Sequence, residues 1–551
     1  MFMSFANCFI ALGQIGGTKN IPGDYSSLAD AISDLNTQGV AAGGVTINLV
    51  AGNPQTAPAG GYIIGGAGSL VLTTTGASNQ VIIQGNGNTI TAPTPQTSGK
   101  LNDAIFKLIG ADYITITGFT MLENPANTTT TAGSNNMTEW GVALLYVTTT
   151  DGAQNNTISN CTIDLDRTYQ NTFGIYSNST HTATAVSTSA TATSPAGANS
   201  GLIITGNTIT DVNVGIVSVG PTGAANHCEG CTIGGSPANA NTITNYGTTG
   251  TFSSYANVSG TVNGILVRNT KNFIITYNNI TSSNGGVTAG TLNGIQIPAF
   301  SNTPTGTFIN SIEHNQISVR SGNAGGAING INCPSGSASL TSTININYND
   351  FQNCGHTVSG SGNIYFISNA SAHKYQNITY NTLTNVTVNT TGDVRLVSNS
   401  NTLPSGGIKN VNNNSIINGF SKTGDGGTVY LIYDSGSDSI GANNNMNNNN
   451  FSNITLALGV TMRGIYNYNA SPALKTISGN ILENWICGTG WTNAIMSDKD
   501  NGTTTISLNQ IRNISAGDAI EAIYLGSTGP GTTDIIQNEV SGISGPVINY
   551  P

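Results

Sequence analysis

Acid–base or metal-assisted chemistry needs carboxylates set beside a base. This chain of 551 residues is poor in both, with 25 Asp and Glu, 15 Lys and Arg and five His. Its best cluster for such chemistry is Asp164-Leu165-Asp166-Arg167. On a strand, residues two apart share a face, so Asp164 and Asp166 would project together with Arg167 beside them. A general acid, a general base and a stabilising cation could be drawn from that set. The same residues equally describe an exposed turn with a local ion pair. The sequence favours no catalytic residue; if the chain is an enzyme, Asp164, Asp166 and Arg167 are the expected ones.

Other polar groups are weaker. Glu313-His314 reads as a solvated pair rather than an acid–base couple, because the same two positions in other repeats hold Thr205-Gly206, Thr276-Tyr277, Asn347-Tyr348 and Thr379-Tyr380. Tyr277, Tyr348 and Tyr380 share one column, either as an aromatic strip for sugar rings or as plain packing. Asp498-Lys499-Asp500-Asn501-Gly502 starts like a calcium loop, but its Gly comes one residue early and no Glu follows at the required spacing, so an Asn-Gly turn is expected. Asp434-Ser435-Gly436-Ser437-Asp438 is a second acidic loop. No cofactor is expected, and calcium has only this slight footing. Of seven Cys, six follow Gln14: Cys161, Cys228, Cys231, Cys333, Cys354 and Cys487. Cys228-Glu229-Gly230-Cys231 has no second ligand pair for zinc, so a local Cys228–Cys231 disulfide is expected, whereas Cys333 and Cys354 could pair or be buried.

These residues are carried on a repeat. Ile203-Ile204-Thr205-Gly206-Asn207-Thr208-Ile209 recurs with its Asn at 207, 241, 278, 315, 349, 381, 414, 449, 480, 509 and 538. Asn88 fits upstream, and Phe119 and Cys161 occupy the Asn column between them. That makes fourteen turns of a solenoid. Each unit is rich in Thr, Ile, Val and Asn, with apolar runs bounded by turn residues, which is strand composition. A second block follows at variable distance, as in Gly215-Ile216-Val217, Gly264-Ile265-Leu266 and Gly464-Ile465-Tyr466. The Asn column (Asn207, Asn241, Asn278, Asn315, Asn349, Asn381, Asn414, Asn449, Asn480, Asn509, Asn538) is expected to turn in the left-handed region, and to bond along the stack at about 4.8 Å per coil.

The pattern resembles the right-handed parallel β-helix of pectate lyases, polygalacturonases, tailspikes and bacterial surface proteins, which implies an all-β single solenoid over residues 45–551. Three motifs expected of a polygalacturonase (Asn-Thr-Asp, Asp-Asp and Gly-His-Gly) do not occur. Before the coils, Tyr25, Leu28, Ile32 and Leu35 fall at helical spacing after Asp24, a candidate N-cap, and before Gly39, a stop. Residues 14–44 are therefore expected to cap the stack, with Val45–Val50 as the first strand. Tyr25-Ser26-Ser27-Leu28-Ala29-Asp30-Ala31-Ile32 followed by Gly44-Val45-Thr46-Ile47 resembles the opening of secreted Bacteroidota surface β-helix proteins. Residues 1–13 are apolar and end in Ala11-Leu12-Gly13, as a signal peptide or an N-terminal assembly segment would.

A charge of −10 with no basic run excludes nucleic acid as the expected partner, and no apolar stretch reaches the ~20 residues of a spanning helix. The sequence thus points to an exported extracellular structural or surface protein, adhesin-like or filament-forming and without catalytic activity. A carbohydrate-active lyase or hydrolase is the alternative. End-to-end self-association or a larger surface assembly is expected, with glycans as a second class of partner.

Overall fold

The computed structural model describes residues 13–546 except 99–102, 132–133, 181–190, 248–257, 259–260, 283–289, 335–339, 470, 498–500 and 527–528. Each coil adds one strand to each of three parallel sheets, which hold 16, 14 and 15 strands. One coil runs through Ile203–Thr205 in the first sheet, Thr208–Thr210 in the second and Val214–Val219 in the third. The chain is therefore an all-β parallel solenoid.

Like residues stack upon like. Ile158, Ile204, Ile233, Ile275, Ile312, Ile346 and Ile378 are successive partners in the first sheet, all fully buried. Each such side chain contributes roughly 1.5–3 kcal/mol by leaving water, so an apolar column, not a globular centre, carries the stability. The glycine of the second block is demanded by closeness: a Cβ on Gly294 would lie 2.6 Å from the carbonyl oxygen of Gly330 in the next coil.

The asparagines from Asn207 to Asn538 form one hydrogen-bonded column. Asn315 Nδ2 donates to Asn349 Oδ1 at 2.9 Å and to the Ile275 carbonyl at 2.9 Å, while the Asn315 amide N donates to the same Oδ1 at 3.1 Å. Cys161 joins through its backbone, its N donating to Asn207 Oδ1 at 3.0 Å. The left-handed residue, however, precedes the Asn. His314 has φ 58° and Tyr348 φ 56°, and Gly206, Asn413 and Gly479 occupy that position elsewhere. The Asn amide is needed to tie coil to coil, and the strained backbone falls on its neighbour.

Two features at the N-terminal end differ from the sequence expectation. The first strand is Ile15–Ile21, paired with Val40–Leu49, not the segment starting at Val45. Only its ends, Ile15 and Ile21, are buried, and the polar residues between them hide the strand period. The helix is Leu28–Gln38, capped by Ser27, whose side chain accepts from the Asp30 N–H, and closed by Gly39 at φ 73°. Asp24 instead accepts from the Asn20 N–H at 2.8 Å, outside the helix. Leu28, Ala31, Ile32 and Leu35 cover the core, and Asn36 staples the helix to Tyr62–Gly65 by donating to the Ile63 carbonyl at 2.8 Å and accepting from Gly65 N at 2.9 Å. At the other end, Ile535, Val540 and Ile543 continue core columns and are exposed.

Candidate functional site

The outer face of the third sheet carries the group of residues best suited to hold a ligand. In strands Ile364–Asn369, Val394–Asn399, Thr428–Asp434, Thr461–Asn467, Thr492–Ser497 and Ile520–Leu525, core residues such as Val429 and Met462 point in, so their neighbours point out. One outward column reads Tyr365, Arg395, Tyr430, Arg463, Asn493, Glu521, each the register partner of the next. A second reads Ser398, Tyr433, Tyr466, Met496, Tyr524.

The guanidinium of Arg395 lies 5.2 Å from the Tyr365 ring centre, 5.1 Å from that of Tyr430 and 4.3 Å from that of Tyr433, with Asp393 at 3.7 Å. These are cation–π distances. Below this layer opens a cleft of about 620 Å³, walled by Tyr430, Tyr433, Tyr466 and Tyr468, with Trp491 and Tyr524 at its far side. Arg463 lies 4.9 Å over Tyr466 and its Nη1 is 3.2 Å from Met496 Sδ; its Nε is buried with no hydrogen-bond partner. Asn493 Nδ2 donates to Glu521 Oε2 at 2.5 Å. Burial raises the Tyr430 hydroxyl above the usual tyrosine value, which keeps it protonated and able to donate. Trp491 remains 47% exposed.

Aromatic rings, a guanidinium and an oriented carboxylate in an open cleft suit the apolar face and hydroxyl rim of a saccharide. Glycosidic hydrolysis normally requires two carboxyl groups, and Glu521 is the one carboxylate among the described lining residues. Sequence reasoning found the Tyr466 block but missed the cleft. The signal was available by aligning the residue before each second-block core position, which gives Tyr430, Arg463, Asn493 and Glu521 in one column.

The expected catalytic group does not assemble. Its strand ends at Asp164, so the rule that residues two apart share a face stops applying before Asp166. Asp166 Oδ1 instead accepts from Thr168 N at 2.8 Å and Thr168 Oγ1 at 2.6 Å, and Arg167 Nη1 reaches Asn245 Oδ1 at 3.1 Å. Burial, and then the nearby Asp211, raise the Asp164 carboxyl above its ordinary value.

Glu313 accepts from Asn347 Nδ2 at 3.1 Å, while His314 stacks between tyrosines. Tyr277, His314, Tyr348 and Tyr380 form one pile with ring centres 4.7, 4.8 and 4.9 Å apart and planes within 5°. The rings cover each other's faces, so the strip shows mostly edges to solvent and serves as packing between coils.

Asp434 and Asp438 meet a lysine: Lys409 Nζ lies 2.8 Å from Asp434 Oδ1 and 3.7 Å from Asp438 Oδ2, with all three side chains fully buried. Asn469 Nδ2 donates to both carboxylates, at 2.8 and 2.7 Å. Asp498, Lys499 and Asp500 lie outside the described residues.

Sequence reasoning also missed a second convergence. Asp103, Glu123 and Glu139 gather near Lys107 and Tyr169, Asp103 and Glu139 each directly before register partners Ala104 and Trp140 of neighbouring coils. Glu139 accepts from Asp103 N at 2.8 Å, Asn135 Nδ2 at 3.1 Å and Tyr169 Oη at 3.3 Å, and Glu123 accepts from Thr138 N at 2.8 Å. Burial raises the Asp103 and Glu123 carboxyls and lowers the Lys107 ammonium.

The Cys228–Cys231 bond expected from sequence is not formed: all six described cysteines are free and buried. Cys231 sits in the central core, whereas the Cys228 thiol faces Ser179 Oγ at 3.9 Å. Cys333 and Cys354 are likewise unpaired.

No protein-family model and no curated protein matches the chain in sequence. Among solved structures, it is similar to the A-module of mannuronan C-5 epimerase AlgE6 of Azotobacter vinelandii, at 12% identity and TM-score 0.24 over 97% of each chain. It is similar to PfbA, a surface adhesin of Streptococcus pneumoniae, at 9% identity and TM-score 0.24, covering 86% of this chain and 85% of that one. The Dettilon tailspike protein follows at 13% identity and TM-score 0.23, covering 80% of this chain and 68% of the other. No helix among the described residues is long and apolar enough to cross a membrane.

Proposed function

We propose that this chain is an extracellular, adhesin-like rod that holds a saccharide in the tyrosine cleft and does no chemistry on it. The observation that carries the reading is the cleft itself: six aromatic rings and Arg463 around a single carboxylate, on a rigid sheet face. Binding needs ring faces and hydrogen-bond donors; hydrolysis would need a second carboxyl placed across the bond. Screening the purified chain against an immobilised glycan array, followed by titration calorimetry on the best hit, tests it. Trp491→Ala and Arg463→Ala should each weaken binding about tenfold or more without changing the thermal midpoint. Appearance of shortened or unsaturated products would replace the binding reading with an enzymatic one.

The enzymatic alternative has its own specific support in Asp103, Glu123, Glu139 and Lys107, a gathering of shifted ionisable groups of the kind that marks active sites. Its test is product release from a polysaccharide panel by the parent chain, abolished in Glu139→Gln.

A further inference from the structure

A second surface, on a different sheet, has the construction of a binding groove. In the second sheet the strands Thr382–Val388, Ser415–Lys422, Asn450–Leu456 and Ile481–Ile486 do not run straight. Each bends at an asparagine in the left-handed region: Asn385 at φ 52°, Asn418 at 59°, Asn453 at 63° and Asn484 at 59°. The register shifts at the bend, between Thr384 and Val386 in one strand and between Ser415 and Phe420 in its neighbour. Asparagine tolerates that backbone better than other non-glycine residues. Repeating the bend coil after coil folds the sheet face into a trough along the rod.

The trough is continuous. One segment of about 410 Å³ is lined by the four asparagines with Thr387, Ser421, Thr455 and Ile486. A second, of about 380 Å³, shares Asn385 and Thr387 with it and runs on to Asn353, His356 and the cationic Arg320. Its floor is rigid: Phe420, Ile454 and Trp485 are register partners buried beneath, and Trp485 Nε1 donates to the Phe451 carbonyl at 2.7 Å. One wall presents an amide per coil. The other presents a hydroxyl at Thr387, Ser421 and Thr455, then Ile486, each the register partner of the next.

Three properties select the occupant. The 410 Å³ segment has no charged residue in its lining, so an anionic or cationic polymer gains nothing by entering it. Amides and hydroxyls both donate and accept, which matches ligand hydroxyls of either sense. The donors repeat at about 4.8 Å per coil, so a polymer of one repeating unit meets the same groups at each step. A peptide strand is disfavoured, because these strands are already paired on both sides and offer no free backbone edge.

We infer that the 410 Å³ segment of this groove binds an extended, uncharged, unbranched polysaccharide lying parallel to the rod axis, separately from the tyrosine cleft. Exposed Ile486 supplies an apolar patch for a ring face, and the side chains of Asn385 and Asn418 stand at the surface.

Affinity electrophoresis decides it. The full chain is run through gels containing hydroxyethyl cellulose, linear xylan, galactomannan or dextran, and through polygalacturonate as the charged control. Retardation by at least one neutral polymer, with at least a tenfold rise in dissociation constant for Thr455→Arg and for Asn418→Asp, is the expected result. Ser33→Arg, at an exposed position on the capping helix outside both surfaces, should remain retarded like the parent. Thermal midpoints of the variants establish that each is folded. Failure of every neutral polymer to retard the parent, equal retardation of a folded Thr455→Arg, or the same loss of retardation in Ser33→Arg would overturn the assignment.

Discussion

Lys409 and Asp434 face one another at 2.8 Å with neither side chain reaching solvent. Asp438 completes the group, and burial raises its carboxyl despite the lowering effect of the ammonium. Isolated charge of this kind is tolerated only when paired. Lys409→Met should therefore destabilise the chain by about 3–5 kcal/mol, because two carboxylates lose their cation. The triple change Lys409→Met, Asp434→Asn, Asp438→Asn should recover a substantial part of that. Urea midpoints at constant slope measure both, and a single variant as stable as the parent would contradict the burial of this group.

Asn315→Ala and Asn349→Ala each remove an amide that serves two coils. The loss strands the neighbour's donor or acceptor out of water, at about 1–3 kcal/mol per site. Thermal unfolding of both variants should show lowered midpoints, the more so because Asn315 and Asn349 are direct partners. Midpoints equal to the parent's would mean that the column is ornamental.

Acid should weaken the fold through histidines. Burial holds His373 down to about 3 and His227 to about 4, against about 6.5 in an unfolded chain. The folded state thus binds fewer protons between those values. This stabilisation is complete above about pH 6.5 and is lost as pH falls toward 4 and below. Fully buried His373 alone accounts for about 2 kcal/mol between pH 6.5 and 5. His373→Gln should be less stable than the parent at pH 7.5, yet lose less on moving to pH 5; an unchanged difference between the two proteins across that range would refute the assignment.

The cysteines should behave as inert core residues. Burial pushes Cys228, Cys333 and Cys354 up to about 12 and Cys161, Cys231 and Cys487 up to about 11. A thiol-reactive dye should find none of these six in the native chain and all six in denaturant without prior reduction. Recovery of Cys228 and Cys231 as one bridged peptide would restore the disulfide.

The fold was readable because its signal repeats. One Asn motif, seen many times over, places the turn, the inward isoleucines and the strand type even though any single copy is only six or seven residues long. What failed was unrepeated. Ile15–Ile21 has two buried ends and a polar middle, and the cap is Ser27 rather than Asp24 because Tyr25, counted as a helical position by its spacing, lies before the helix. The tyrosine cleft depends on which register aligns Tyr430 with Arg463, and variable loops between coils obscure that count. The gathering of Asp103, Glu123 and Glu139 sits where second-sheet strands pass into the third sheet, Asp103 and Glu139 each preceding register partners Ala104 and Trp140, and the variable length of that connection hides the alignment in sequence.

The amide column also makes length a free variable. Asn349 bonds to Asn381 32 residues on just as Asn381 bonds to Asn414 33 residues on, and neither contact registers how many coils stand above or below. Excising one whole coil from Asn349 to the residue before Asn381 brings Asn315 against Asn381 with the same donors and acceptors. Lineages carrying such a chain can lengthen or shorten it by unequal recombination in steps of one coil, changing the distance between whatever sits on its faces while leaving the bonding pattern intact.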